Sequence, residues 1–164
     1  MLTIRVKGLE ELQESTGELG KWARGPFRGR AAEKIRDDFL GEVATSFKSR
    51  GRSTGRSWAP LSPTYKAWKD SAYPGRPLLV LTGRLRESLT NARSRDSVYN
   101  RRQKGFKLLS LGTRVPYAGY HQHGTSKMPR RPLFVVKSKI GKRWAEYLSA
   151  DVEAAWKGKR WQAR

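Results

Sequence analysis

Two long amphipathic stretches flank the centre of the chain and limit what can lie between them. Ala32, Ile35, Phe39, Val43 and Phe47 recur at helical spacing, with Glu33, Lys34, Arg36, Asp37, Asp38 and Glu42 on the other side. That stripe predicts a core helix over about 27–47 with a solvated back. Ile140, Trp144, Tyr147, Leu148, Val152, Ala155 and Trp156 predict a second over about 139–156, followed by a basic tail at 157–164. Everything between them is short. Ser62-Pro63 opens a helix through Lys69, with proline at the first turn where its missing N–H costs nothing. Thr82 is a cap for a helical turn over 83–89. Residues 91–113 read as a β-hairpin with arms near 92–99 and 105–111 and a basic turn at 100–104. Val115 to Gly124 reads as a short helical segment, and Leu133 to Val136 as a brief strand.

Upstream, Leu2, Ile4 and Val6 alternate with polar residues as in an amphipathic strand. Leu9, Leu12, Leu19 and Trp22 then recur at helical spacing opposite Glu10, Glu11, Glu14 and Glu18. No strand–helix–strand rhythm demands a parallel sheet. The expected fold is α+β, a single domain over 1–164: a small, mainly antiparallel sheet packed by two long helices, with a protruding basic loop and hairpin.

Charge is distributed unevenly. The formal net charge is +21, yet residues 1–47 hold eight acids and eight bases, so the excess lies after them. Between Asp96 and Glu146 there are twelve bases and no acid. Such a field repels itself in a free monomer and calls for a negative partner, either nucleic acid or an acidic protein surface. Residues 48–57, KSRGRSTGRS, hold no apolar side chain and read as a mobile basic loop. The chain has no cysteine, which excludes disulfides and cysteine-ligated zinc. The first residues turn charged at once, unlike a secretory signal, and no apolar run is long enough to span a membrane.

Motifs for chemistry are thin. His121-Gln122-His123 supplies two imidazoles, but a metal site needs three or four ligands and no carboxylate lies nearby in sequence. Serines are many, yet no G-x-S-x-G elbow presents one. Gly51 to Ser57 lacks the G-x-x-x-x-G-K-[ST] order of a phosphate loop. Basic turns near Tyr99, Phe106, Tyr117 and Tyr120 could stack bases, but no RNA-binding signature accompanies them, and filling a core or an interface is the preferred reading. Neither catalysis nor a cofactor is expected.

Four stretches together carry a pattern: Trp58-Ala59-Pro60-Leu61-Ser62-Pro63-Thr64, Leu81-Thr82-Gly83-Arg84-Leu85-Arg86-Glu87-Ser88-Leu89, Val115 to Gly124 (VPYAGYHQHG), and Pro129-Arg130-Arg131-Pro132-Leu133-Phe134. In order and spacing they resemble the phage virion-morphogenesis family, which includes tail-completion proteins of Mu-like and P2-like phages. They are also similar to the neck proteins of lambdoid phages. Relatives often carry Phe directly after Arg-Pro. Here Leu133 stands there, and Phe134 is expected to fill that packing role.

The resemblance implies a non-enzymatic virion protein, assembled in the host cytoplasm, that completes the tail or joins it to the head. It implies a ring of identical subunits, expected to be a hexamer, meeting tail-tube, terminator and head-connector proteins, without a membrane. Trp58, Pro60, Thr82, Gly83, Leu85, Tyr117, Ala118, His121, Gly124 and Pro132 are then fold determinants. Leu85 and Leu89 should face inward, and Arg84, Arg86 and Ser88 outward. Arg50, Arg52, Arg56, Arg101, Arg102, Lys104, Lys107, Arg130 and Arg131 are the candidates to face a neighbouring subunit or the DNA in the channel. The alternative reading is a basic nucleic-acid-binding module.

Overall fold

The computed structural model describes residues 2–5, 30–100 and 109–160. In chain order the elements are β1 (Leu2–Arg5), α1 (Ala31–Lys48), a 3₁₀ turn (Arg52–Thr54), α2 (Pro63–Ala72), α3 (Arg84–Thr90), β2 (Ser97–Asn100), β3 (Ser110–Thr113), α4 (Ala118–His123) and α5 (Ser138–Arg160). The strands form one sheet in the order β1–β3–β2. The fold is α+β, as the hydrophobic periodicity predicts. The chain divides into two compact units, each drawn from three stretches. One takes Met1–Thr3, Phe39–Val98 and Gly112–Val135, and the other Ile4–Asp38, Tyr99–Leu111 and Val136–Arg164.

The second unit pairs the first turns of α1 with α5. Ala31, Ala32 and Ile35 of α1 and Ile140 and Trp144 of α5 are buried. Polar contacts fix the pairing. The Ala31 N–H donates to Asp151 Oδ2 at 3.2 Å, giving a carboxylate partner to one of the donors that a helix start leaves free. Arg143 Nε donates to Asp38 Oδ2 at 2.6 Å, and Lys34 Nζ lies 5.1 Å from the centre of the Tyr147 ring.

The first unit is organised around aromatic contacts. Phe39 meets Phe134 edge-on with centroids 5.0 Å apart, and Phe47 meets Trp58 likewise at 5.4 Å. Such pairs contribute about 0.5–1.5 kcal/mol beyond their burial. Phe134 thus fills the expected packing role, and Leu133 is fully buried beside it. A hydroxyl relay ties α3 to β3: Thr113 Oγ1 donates to Ser88 Oγ at 2.7 Å, Ser88 Oγ to the Leu85 carbonyl at 2.9 Å, and the Val115 N–H to Thr113 Oγ1 at 3.0 Å. β2 and β3 are held at their ends by the Arg114 N–H donating to the Asp96 carbonyl at 2.7 Å.

Two expectations need correction. Ser88 faces inward and is fully buried, because its hydroxyl has Thr113 to bond. Residues 133–136 form no strand, because the donors of Leu133 and Phe134 go to a side chain, Gln122. Within residues 48–57, expected as a mobile basic loop, the structure places a hydrogen-bonded turn. Ser49 Oγ donates to Ser53 Oγ and accepts from the Ser53 N–H, both at 3.1 Å. Thr54 Oγ1 donates to the Gly51 carbonyl at 2.7 Å, and the Trp58 N–H donates to the Arg50 carbonyl at 2.8 Å. Hydroxyls at this spacing satisfy a turn's backbone without an apolar side chain. Gly51 is its pivot: φ is +87°, and a Cβ there would stand 2.3 Å from Trp58 Cδ1.

The helix boundaries otherwise sit within a few residues of expectation. Gly83, not Thr82, occupies the N-cap of α3, and Thr82 Oγ1 accepts from the Arg84 N–H at 3.4 Å. The predicted helix near residues 9–22 lies outside the described residues, as do residues 101–108, which hold most of the predicted hairpin turn at 100–104 and the start of its second arm at 105–111.

Candidate functional site

The first unit carries a groove of about 850 Å³, in the size range of sites that bury a ligand or a short segment. Its lining comes from four parts of the chain that the family-like motifs occupy. Pro60, Leu61 and Ser62 lead into α2, where Ser62 Oγ accepts from the Tyr65 N–H at 3.4 Å and Pro63 takes the first turn. Tyr65 and Lys69 follow on α2. Leu79 to Leu85 form a second wall, running from a tight turn into α3. Tyr117, Tyr120 and His121 come from α4 and its start, and Lys127 to Pro129 with Arg131 complete the rim.

The second wall contains strain. The Val80 N–H donates to the Pro77 carbonyl at 3.0 Å, closing a turn that holds Leu79 at φ +61°. A left-handed leucine costs about 1–2 kcal/mol. Residues held this way cluster where a protein grips something.

The electrostatics are one-sided. No Asp or Glu among the described residues lines the groove. Lys69, only 4% exposed, donates to the carbonyls of Arg76 at 2.9 Å and Pro77 at 2.6 Å. Arg131, also 4% exposed, donates from Nε to the Ala59 carbonyl and from Nη2 to the Pro60 carbonyl, both at 2.8 Å. Burial lowers the pKa of both. Carbonyl dipoles satisfy their hydrogens but do not neutralise their charge; Asp70, outside the lining, offsets Lys69 in part, and the lining itself stays positive. His121 registers it: desolvation, and then the nearby Arg131 charge, lower its pKa below the 6.5 of a free imidazole. Its Nδ1 is buried without a hydrogen-bond partner among the described residues. Arg84 is different, being paired through both nitrogens with Asp96 at 2.6 and 2.9 Å. That hydrogen bond holds the Asp96 carboxyl below its usual range.

Behind the groove lies a buried amide. Gln122 Nε2 donates to the Phe134 carbonyl at 2.8 Å, while its Oε1 accepts from the N–H groups of Leu133 at 2.8 Å and Phe134 at 3.3 Å. Trp58 Nε1 reaches the Pro132 carbonyl at 2.8 Å. Gly124, at φ +77°, leaves room for Arg130 N, which would stand 3.0 Å from a Cβ there.

Of the expected fold positions, Pro60, Thr82, Gly83, Leu85, Tyr117 and His121 all line the groove, while Trp58, Ala118, Gly124 and Pro132 support it from behind. Tyr117 and Tyr120 point out, the latter 59% exposed. Of the expected basic contact residues, Arg50, Arg52 and Arg56 are exposed on the turn after α1. Arg130 is exposed too, with Nε donating to the Gln122 carbonyl at 3.1 Å. Arg131 is not at the surface; it braces residues 59–60. Arg101, Arg102, Lys104 and Lys107 lie outside the described residues. His121 and His123, two apart on a helix, do not share a face, and no group of three metal-binding side chains occurs among the described residues. Nor is any helix among them long and apolar enough to cross a membrane.

Sequence reasoning missed Lys69, Gln122 and Leu79. Nothing in composition marks a buried lysine. Gln122, though, stands inside the Tyr117 to Gly124 motif, flanked by residues already singled out.

Residues 9–153 match the sequence pattern of a known family, the phage virion morphogenesis family. No curated protein and no solved structure gives a significant match. The match spans most of the chain and contains all four motifs that build the groove, so the chain belongs to the phage virion morphogenesis family.

Proposed function

We propose that this chain is a structural virion protein of a tailed phage that completes the tail or joins it to the head as one subunit of a closed ring. It works by contact and not by bond-making. The observation that carries this reading is the convergence of the family's motif residues on a single groove with no carboxylate among the described residues that line it. A serine-type catalytic site would need a nucleophile, a base and an orienting acid in reach of one another. The groove offers His121 with no acid, and Ser62 is engaged with the start of α2. A docking site needs what is present: apolar walls, exposed rings and positive charge in the lining.

A ring of identical subunits needs a head-to-tail interface that closes. The net charge of +21 gives it negative neighbours to find, namely acidic faces of tail-tube, terminator or head-connector proteins, or DNA in the channel. The test is genetic. Deleting the gene from the phage should leave heads and tails unjoined or tails incomplete, and supplying the chain from a plasmid should restore joined particles. Normal infectious particles from the deletion would end this reading.

The alternative, a nucleic-acid-binding module, draws on Arg50, Arg52 and Arg56, exposed together on one turn. It predicts binding to free DNA that falls steeply with salt. A monomer that holds DNA below micromolar concentration at physiological salt would favour it. Negligible affinity of the same monomer favours the ring subunit.

A further inference from the structure

The groove asks for an occupant that is apolar and acidic, and this chain contains one. Leu61, Leu79, Leu81 and Met128 give the groove its apolar surface. Lys69, with Asp70 next to it outside the lining, and Arg131 give its wall a positive character that no carboxylate among the described lining residues offsets, and Lys127 stands exposed at the rim. Charges beside an apolar, water-poor surface act more strongly than the same charges in bulk water. From Leu9 to Leu19 the sequence reads LEELQESTGEL: four glutamates in eleven residues and no base. Leu9, Leu12 and Leu19 stand three and seven apart, the spacing of the anchors with which an amphipathic segment enters an apolar groove. The other base-free acidic stretches, residues 37–47 and 144–156, are already engaged: they are parts of α1 and α5, with Phe39, Val43 and Trp144 buried, Asp38 paired with Arg143 and Asp151 bonded to the Ala31 N–H.

We propose that residues 9–19 of a second copy of this chain occupy the groove, with their leucines against its apolar walls and their glutamates facing Lys127 and the buried cations. The inference rests on the ring reading above and names the contact that propagates it. One copy gives the acidic segment and the next gives the groove, so the interface is head-to-tail, as ring closure requires. It also gives the uneven charge a use, since the near-neutral first part of each chain meets the basic remainder of its neighbour.

The chain has no cysteine, so single cysteines can report the contact. One full-length chain would carry Tyr120→Cys at the groove rim, and a second, with a larger tag, Glu14→Cys. The two are mixed under mild oxidation, both as purified chains at high concentration and by co-expression into particles. The proposal expects a mixed disulfide-linked pair, well above the level formed by Tyr120→Cys with itself or with a control Ala154→Cys chain. Adding Lys127→Glu to the groove copy should lower the yield about tenfold or more, because a rim attraction becomes a repulsion. Lysines in place of Glu10 and Glu11 on the other copy should restore it.

Each variant is first checked for the wild-type unfolding midpoint, so that a missing link cannot be blamed on a lost fold. The proposal is overturned if no mixed pair forms in solution or in particles. It is also overturned if the link forms only within one chain carrying both cysteines, if Lys127→Glu leaves the yield unchanged, or if Tyr120→Cys is captured in particles by a different protein. A chain that enters particles without the mixed link removes this contact and leaves the ring reading standing. A chain missing from particles removes the ring reading itself.

Discussion

Replacing Gln122 by Met isolates the contribution of one buried amide. Methionine keeps the length and flexibility of the side chain and its packing volume, but offers no N–H and almost no acceptor. Three hydrogen bonds disappear: those to Gln122 Oε1 from the Leu133 and Phe134 N–H groups, and that from Nε2 to the Phe134 carbonyl. Gln122 is 8% exposed, and Leu133 and Phe134 are more buried still, so water does not readily take its place. Each buried backbone group left without a partner costs about 1–3 kcal/mol. Local relaxation keeps the total below the simple sum, and single substitutions above 4–5 kcal/mol are rare. The expected loss is about 3–5 kcal/mol, a large share of the 5–15 kcal/mol that holds a typical domain folded. Urea unfolding of the full chain, followed by tryptophan fluorescence, should show the midpoint falling by at least about 1 M. A Gln122→Met protein within about 1 kcal/mol of wild type would refute the reasoning, since residues 133–134 would then be held by packing alone.

Other substitutions test the remaining parts. Gly51→Ala forces a Cβ into a left-handed position and against the Trp58 ring. It should destabilise by about 2 kcal/mol or more in thermal unfolding, and a neutral result would mean the turn packs otherwise. Lys69→Met takes the ammonium donor from the Arg76 and Pro77 carbonyls, of which the second keeps the Val80 N–H, and should cost about 1–3 kcal/mol, read by the same urea titration. His121 makes stability depend on pH in a stated direction. Its pKa is lower folded than unfolded, so between those two values the unfolded chain binds more protons. Stability should therefore level off above about pH 6.5 and fall as the pH drops below it. His121→Phe should flatten that slope, which denaturation midpoints at pH 5, 6 and 7 would show.

Much of the architecture was legible because it is written in periodicity. The apolar stripes of α1 and α5 and the Ser62-Pro63 start of α2 are local signals, and the structure places these elements within a few residues of expectation. The errors fall where a side chain replaces backbone pairing. Residues 133–136 look like a strand because their apolar run is strand-like, yet their donors bond Gln122, eleven or more positions earlier. Residues 48–57 read as a loop because they lack apolar groups, and the turn within them is bonded by the hydroxyls of Ser49 and Ser53, a pattern that periodicity does not register. Arg131 looked like a surface base because buried arginines are rare. Its place in the core depends on two carbonyls some seventy residues upstream, which no local pattern reveals. The groove was half visible: its motifs were recognised, but that they face one another is a property of the fold.

The most direct test of the account is an image of the purified phage particle, reconstructed at the junction of head and tail and at both tail ends, with this chain carrying a small visible tag. The account predicts tag density repeated around the tail axis as a closed ring at one of those levels, in few copies per particle. Particles that are complete and infectious but carry no trace of the chain would contradict it.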